Sequence, residues 1–256
     1  DGADIKRVIY DSVRQDGPRL SASSPQSSAY ILNLIDTPGH ADFGYEVSRA
    51  LAAVEGAILL VDATQGVQAQ TVANLHLAKR EGLVVVSAIN KIDLPSADVE
   101  KTEKEIRVLL GDPSREIVRV SAKDGTGVET LLREVIERVP APRMYAESSQ
   151  RESAFGLRQS AMSAQNALML RALIFDSKFD AYQGVIAHVR IFGGSVKKGD
   201  AIIFAASGSV CEALEVGVFT PARTQADTLG AGEIGYIATG IKETESVRVG
   251  DTITHA

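Results

Sequence analysis

Apolar and polar positions follow two different patterns along the chain. Up to about residue 140, short apolar runs typical of buried strands alternate with amphipathic segments of helical period. This alternation predicts a mainly parallel sheet covered by helices. The predicted strands cover residues 4–13, 30–35, 56–64, 83–90 and 116–122. The predicted helices cover residues 42–54, 69–82, 96–111 and 128–139.

Two local features refine this prediction. One polar loop, too short for a helical crossover, separates the first two strands, so they are expected to pair as an antiparallel hairpin. In the helix over 96–111, Ser96 is the expected N-cap and Gly111 the expected end.

The pattern changes after residue 142. Residues 143–168 are rich in Ser, Gln and Ala with scattered apolar positions, which indicates a linker or insertion. From 169 to 256, short β-rich segments are separated by glycine-containing turns, and this spacing predicts a small closed barrel. The expected order is therefore an α/β domain over 1–142, a linker, and an all-β domain over 169–256.

Composition narrows the class of protein. A net charge of −6 argues against a basic nucleic-acid-binding domain, although it says nothing of RNA contacts made through other regions. The single Cys211 excludes a disulfide framework and fits a reducing compartment. No apolar run approaches the roughly 20 residues that span a bilayer.

Three short motifs follow three different predicted strands. They are Asp-Thr-Pro-Gly-His at 36–40, Asn-Lys-Ile-Asp at 90–93 and Ser-Ala-Lys at 121–123. Open α/β sheets bind their ligands at the carboxyl ends of their strands. Each motif alone is also compatible with an ordinary loop, but all three in this order predict a guanine-nucleotide site.

The second and third motifs suit a guanine base. Asp93 can accept hydrogen bonds from the adjacent N1–H and amine of guanine, a donor pair that adenine lacks. Asn90 can hydrogen-bond the base and neighbouring loops, and the stem of Lys91 can lie along the ring. Ala122 would donate its N–H to the guanine oxygen, with Lys123 on the opposite face of the ring.

The first motif suits a terminal phosphate. Asp36 is expected to hold Mg²⁺ through water, Gly39 to offer its N–H to the phosphate, and His40 to handle the attacking water. Asp62 also follows an apolar strand, but a different one, and is expected to be structural rather than a magnesium ligand. His76, His188 and His255 lack partners at metal-ligand spacing and are expected to be structural as well.

Longer strings carry a family resemblance. "HADFGYEVSRALAAVEGAILLVDATQGVQAQTVAN", "NKIDLPSAD", "LRALIFDS" and "VRVGDTITHA" are similar to the LepA (elongation factor 4) family of translational GTPases along most of the chain. The sister BipA family shares "DTPGHADFG", but there an Arg-Pro pair is expected after the guanine motif. Here Leu94, Pro95 and Ser96 follow it.

The resemblance implies a P-loop GTPase domain followed by a translation-factor barrel. It implies a ribosome-bound enzyme that hydrolyses GTP to GDP with Mg²⁺ during elongation, in back-translocation, fidelity or the recovery of stalled ribosomes. It also implies a monomer in the cytoplasm that associates peripherally with the membrane. The mitochondrial matrix is the alternative compartment. The site residues carried over are catalytic His40, metal-linked Asp36, and nucleotide-binding Asp36, Gly39, Asn90, Lys91, Ile92, Asp93, Ser121, Ala122 and Lys123.

The chain departs from the family in one respect. No Gly-x-x-x-x-Gly-Lys-Ser/Thr loop, which would grip the phosphates, occurs in residues 1–256. The sequence is therefore expected to be an internal fragment of a larger GTPase, inactive by itself, that lacks the phosphate loop and C-terminal domains. Two alternatives stay open, namely a BipA-like ribosomal GTPase and a non-catalytic binding module that has lost the loop.

Overall fold

The fold begins with two strands that form a sheet of their own. In the computed structural model, which describes residues 4–11, 29–37, 44–144 and 169–256, β1 (Asp4–Asp11) pairs antiparallel with β2 (Ala29–Asp36). The register runs from Asp4 opposite Asp36 to Asp11 opposite Ala29. The predicted antiparallel hairpin is thus confirmed. Within the described ranges, neither strand pairs with a third.

The chain divides into two units by its internal contacts. One unit is Thr37–Gln159, and the other combines Asp1–Asp36 with Ser160–Ala256. Most of the predicted linker, residues 145–168, lies outside the described residues, as do Gly39 and His40. The domain boundaries drawn from the sequence therefore stay a prediction.

The unit Thr37–Gln159 is an α/β layer built on a three-stranded parallel sheet of order β3-β4-β5. Parallel strands covered by helices are buried on both faces, and five consecutive residues of β4 are buried accordingly. The predicted parallel sheet is confirmed. The elements are, in chain order, α1 (Gly44–Ala52), β3 (Gly56–Asp62), α2 (Ala69–Arg80), β4 (Val84–Asn90), α3 (Val99–Leu110), β5 (Val118–Arg119) and α4 (Val128–Arg138).

The sequence placed the start of α3 too early. Asp98 is the N-cap, because its side chain accepts a hydrogen bond of 3.0 Å from the Lys101 N–H. Ser96, the expected cap, lies two residues earlier, in a turn in which the Ala97 N–H donates to the carbonyl of Leu94. Gly111 ends the helix at φ 72°, as expected for a left-handed C-cap.

A buried acid fixes α3 against β5. Glu103 accepts a hydrogen bond of 2.7 Å from Arg119, and Arg107 lies 3.5 Å from its second oxygen. The hydrogen bond from Arg119 lowers the pKa of Glu103 and outweighs burial, which acts in the opposite direction. An acid on the inner face of a helix is therefore ionised and paired, and it ties the short β5 to the layer.

The second unit contains an antiparallel sheet of eight strands in the order β10-β9-β15-β6-β7-β14-β11-β12. A separate ribbon, β8 with β13, adds Val196 and Leu229 to the same apolar core. The all-β domain expected after the α/β layer is confirmed. Its strands are β6 (Arg171–Asp180), β7 (Gly184–Gly193), β8 (Ser195–Lys197), β9 (Ala201–Phe204), β10 (Val210–Glu212), β11 (Glu215–Phe219), β12 (Arg223–Gln225), β13 (Thr228–Gly230), β14 (Ile234–Ala238) and β15 (Thr252–His255).

No helix within the described ranges is both long and apolar enough to cross a membrane.

Two glycines in the loop before α4 provide a matched test of the layer's packing. Both are left-handed, but a Cβ on Gly127 would overlap the carbonyl oxygen of Arg119, whereas one on Gly125 would meet nothing within 4 Å. Gly127→Ala is expected to lower the free energy of unfolding by about 2–4 kcal/mol, since backbone strain and steric overlap add. Gly125→Ala is expected to cost only about 1 kcal/mol.

Urea unfolding followed through the far-UV helix signal compares the two variants, because the described α-helices all lie in Thr37–Gln159. Equal losses for the two variants would contradict the overlap at Arg119.

Cys211 provides a test of the all-β unit. Its side chain packs against the core, and burial raises the pKa of the thiol from 9.0 to about 11. Only the thiolate reacts, although its nucleophilicity rises with its pKa. At pH 8, the folded chain is therefore expected to react with an aromatic disulfide reagent about tenfold more slowly than the urea-unfolded chain. The rate should rise with pH up to about 11, and a folded rate equal to the unfolded one would show that the thiol is solvated.

Candidate functional site

The three parallel strands deliver polar side chains to one edge of the sheet. β3 ends at Asp62, which lies directly opposite Asn90 at the end of β4. Just beyond β5, the Val120 N–H continues the ladder by donating to the carbonyl of Ile89 at 2.8 Å, and Ser121 follows it. The apolar strands thus place Asp62, the second motif and the third motif at the same edge.

The side chain of Asn90 joins the second motif to the third. Its Oδ1 accepts hydrogen bonds from the backbone N–H of Lys91 at 2.8 Å and from that of Ala122 at 3.0 Å. The second donor lies 32 positions away in sequence. The predicted neighbours therefore lie together, while their role in nucleotide binding stays a prediction.

The hydrogen bond from the Ala122 N–H affects how a guanine base could bind at this edge. The N–H that the sequence predicts for the guanine oxygen is already donated to Asn90. Binding of a base in the predicted pose requires this N–H to be shared between two acceptors or transferred from one to the other. A carboxamide oxygen is a suitable temporary acceptor, because it carries no charge that would hold the donor strongly.

Lys91 adopts a backbone conformation that is rare for its residue type. It is the single described non-glycine residue in the left-handed region, at φ 64°. Its N–H is held by Asn90, and its carbonyl accepts a hydrogen bond of 3.2 Å from the Leu94 N–H. The tight turn directs the lysine back toward the neighbouring strand, where Nζ lies 2.7 Å from Oδ2 of Asp62.

Asp62 is held on its other side by Thr64. Its Oδ1 accepts hydrogen bonds from the Thr64 N–H at 2.8 Å and from the Thr64 hydroxyl at 2.7 Å. Burial by itself raises the pKa of the carboxyl, but the hydrogen bonds from Lys91 and Thr64 outweigh it and hold the pKa below its ordinary value. The structural role expected for Asp62 agrees with these contacts.

The contact between Asp62 and Lys91 is one that sequence reasoning missed. The two residues are 29 positions apart, and neither belongs to a pattern that would pair them. The sequence does place an acid at the last position of β3, however. In a parallel register this position faces the end of β4, so the ordered ends of adjacent apolar strands are the feature that points to the contact.

Asp93 is an exposed acid at the same edge of the sheet. Its side chain is exposed, and among the described residues no donor hydrogen-bonds its carboxylate. The preceding Ile92 is half-buried and packs against the core of the layer. The acid is therefore presented to solvent on a loop whose base is fixed, as a residue that reads a donor pair on a ligand requires.

The third motif forms a compact loop. Ser121 is fully buried, and its backbone N–H donates to the carbonyl of Thr126 at 2.9 Å. Its own carbonyl accepts from the Gly125 N–H at 2.9 Å. Ala122 and Lys123 are both exposed on the outer side of this loop. The loop is thus closed by its own backbone, and its two exposed members face solvent.

The first motif lies partly outside the described residues. Asp36 ends β2 with an exposed side chain, in the unit that also contains the all-β sheet, while Gly39 and His40 are not described. An exposed carboxylate suits Mg²⁺ held through water, since this ion prefers oxygen ligands and keeps several waters. The roles of Asp36, Gly39 and His40 stay predictions.

The other histidines have ordinary partners. His188 Nδ1 lies 3.1 Å from Asp176 and His255 Nε2 lies 3.5 Å from Asp200, while His76 is exposed on α2. In the described part of the chain, no cluster of three or more His, Cys, Asp or Glu residues could hold a metal. The contacts of His188 and His255 agree with the structural role expected for them, while that of His76 stays a prediction.

Known proteins resemble this chain in sequence and in fold. The elongation factor Tu GTP-binding domain matches residues 12–141, and elongation factor Tu domain 2 matches residues 184–254. Elongation factor 4 of Thermotoga maritima is 48% identical over the whole chain, and that of Aquifex aeolicus is 45% identical. The chain spans 38% and 39%, respectively, of the length of these two relatives.

Solved translation factors share the fold. The crystal structure of the bacterial selenocysteine-specific elongation factor EF-Sec matches with a TM-score of 0.63 at 23% identity, covering 88% of this chain and 36% of that one. SelB from Methanococcus maripaludis, solved with the GTP analogue GppNHp, also matches with a TM-score of 0.63, at 20% identity over 92% of this chain and 48% of that one.

The sequence resemblance to LepA is thereby confirmed at the level of relatives named elongation factor 4. Because the GTP-binding-domain match alone extends over about half of the chain, and the parallel layer and the all-β unit follow each other in the matching order, the chain belongs to the translational GTPase family of the elongation factor Tu GTP-binding domain.

Proposed function

We propose that the edge formed by Asn90, Lys91, Asp93 and Ala122 binds the guanine base of GTP and GDP. The observation that carries the proposal is the double hydrogen bond at Asn90, which holds the two loops together while the exposed Asp93 has no partner among the described residues. A carboxylate presented in this way suits guanine, whose N1–H and amine lie side by side. Leaving such an acid unsatisfied penalises adenine.

We further propose that the protein carrying this chain hydrolyses GTP to GDP and phosphate. His40 orients the attacking water, Gly39 offers its N–H to the terminal phosphate, and Asp36 holds Mg²⁺ through water. When bound, Mg²⁺ supplies positive charge against the phosphate oxygens. The support for these three roles is the sequence motif, together with the match to the GTP-binding domain.

The sequence identity to relatives named elongation factor 4 also supports a proposal for where in the cell this hydrolysis occurs. We propose that it occurs on the ribosome during elongation, with back-translocation, fidelity or the recovery of stalled ribosomes as the event served. The proposed compartment is the cytoplasm, and the proposed protein is a monomer. Association with the membrane surface and the mitochondrial matrix stay predictions from the resemblance alone.

A change of base preference tests the guanine site most sharply. Asp93→Asn replaces an acceptor by an amide that can also donate, which suits xanthine, because xanthine has an oxygen where guanine has its amine. In the protein carrying this chain, and in the presence of Mg²⁺, the variant is expected to lose affinity for labelled GDP by at least about 100-fold and to gain affinity for labelled XDP. Fluorescence titration of the two nucleotides, with ADP as the third ligand, measures both effects.

Asp112→Asn provides the control, since Asp112 is a half-buried acid in the loop after α3 and is not part of the proposed site. Its preference for GDP over ADP and XDP should equal that of the unmodified protein. Equal binding of GDP and ADP by the unmodified protein, or an Asp93→Asn variant that still prefers GDP, would show that Asp93 does not read the base.

A further inference from the structure

Asp62 and Lys91 form a contact beside the proposed base site. Lys91 belongs to the second motif, whereas Asp62 belongs to none of the three. Their charged atoms are 2.7 Å apart, a distance at which an ion pair is also a hydrogen bond. The lysine side chain is about half exposed at 49%, whereas the aspartate is more enclosed at 20%. The acid is therefore the fixed partner, and the lysine is the one that is held.

The position of Asp62 is fixed from several sides. Thr64 occupies its Oδ1 through two hydrogen bonds, whereas Oδ2 receives the lysine at 2.7 Å and a long hydrogen bond of 3.5 Å from Gln65 Nε2. The loop that follows is anchored to α3, because the Asp98 N–H donates to the carbonyl of Ala63 at 2.9 Å and Glu105 accepts from the Val67 N–H at 2.9 Å. The carboxylate thus has a defined orientation before any ligand binds.

The lysine is fixed at both of its ends. The turn at φ 64° and the hydrogen bond to Asn90 fix its backbone, and Asp62 fixes its ammonium. A long side chain that is free in solution loses rotamer entropy when a ligand orders it, whereas one already held loses less. Between these two fixed ends, the apolar stem can serve as a surface for a flat ring.

We propose that Asp62 is a positioning residue for guanine-nucleotide binding, which holds the Lys91 stem in place as one wall of the base site. The inference rests on the proposed function of Asn90, Lys91 and Asp93. It adds a residue outside the guanine motif that acts through the lysine, without itself contacting the base. Loss of this acid should leave the choice of guanine intact and shorten the lifetime of the complex.

The first experiment tests the pair without nucleotide. Carboxyl ¹³C NMR measures the pKa of Asp62 in the unmodified chain and in Lys91→Met, a variant that keeps an unbranched stem and removes the charge. The pKa should rise in the variant, because one of the groups that lower it is gone. Asp112 should not change, since Ser114 holds it through the same pair of backbone and hydroxyl hydrogen bonds, at 3.0 and 2.7 Å. An unchanged pKa for Asp62 would overturn the proposal.

The second experiment measures dissociation of fluorescently labelled GDP from the protein carrying this chain by stopped flow. Asp62→Asn keeps an oxygen for Thr64 but loses the charge, so dissociation should be about two- to fivefold faster, as expected for a partly exposed pair. The ratio of GDP to ADP affinity should not change. Asp112→Asn, which alters an equivalent turn remote from the site, should dissociate at the unmodified rate.

The double variant separates positioning from a general loss of stability. In a Lys91→Met background, Asp62→Asn should have no further effect on dissociation, because the group that it holds is already gone. An equal acceleration in both backgrounds would mean that Asp62 acts through the fold rather than through the lysine, and the proposal would be wrong. A GDP dissociation rate of Asp62→Asn equal to that of the unmodified protein would also overturn the proposal.

The outcomes also separate this inference from the proposed function. If the unmodified chain binds GDP and Asp62→Asn does not alter its release, only the positioning role fails. If the unmodified chain shows no preference for GDP, the proposed function fails and the positioning role fails with it.

Discussion

The guanine-motif edge depends on one carboxamide oxygen. Oδ1 of Asn90 accepts the N–H groups of Lys91 and Ala122, and these two hydrogen bonds join loops that follow different strands. The other contacts that fix these loops are the ion pair of Lys91 with Asp62, the packing of Ile92 on the core and the ladder bond from Val120 to Ile89. An asparagine suits this position because its neutral oxygen accepts two hydrogen bonds without the desolvation cost of a charge. The lysine conformation and the position of the Ser-Ala-Lys loop follow from it.

The strands set where this oxygen can act. β3 and β4 pair in parallel register, and buried side chains of both strands pack into the same core, so that Asp62 and Asn90 end at the same level. Apolar burial thus determines a polar arrangement, because it fixes the register and allows neither strand to slip by one residue. At the edge, the acid holds the lysine, the asparagine holds both loops, and the Asp93 carboxylate has no partner among the described residues. A sheet that presents such an acceptor is a suitable base for selective recognition.

Much of this arrangement could be predicted from the sequence, and each wrong prediction has a local structural cause. The strands ending at Asp62 and Asn90 were evident from unbroken apolar runs, and Gly111 was evident as a helix end. The start of α3 was misplaced, because both Ser96 and Asp98 are good caps and only the geometry of the preceding turn decides between them. The strand expected over 116–122 shrinks to Val118–Arg119 in the structure, since its following residues turn at once into the Ser-Ala-Lys loop. The pairing of Asp62 with Lys91 depends on register, which no short motif encodes.

The most direct measurement is the hydrogen exchange rate of the Ala122 amide in the unmodified chain and in Asn90→Ala, observed by NMR without nucleotide. If the carboxamide holds the loops together, the Ala122 amide should exchange about two- to tenfold faster in the variant, as expected for the loss of one hydrogen bond. Asn74→Ala on α2 should leave this rate unchanged. An Ala122 amide that exchanges at the same rate with and without the Asn90 side chain would contradict the central role of that oxygen.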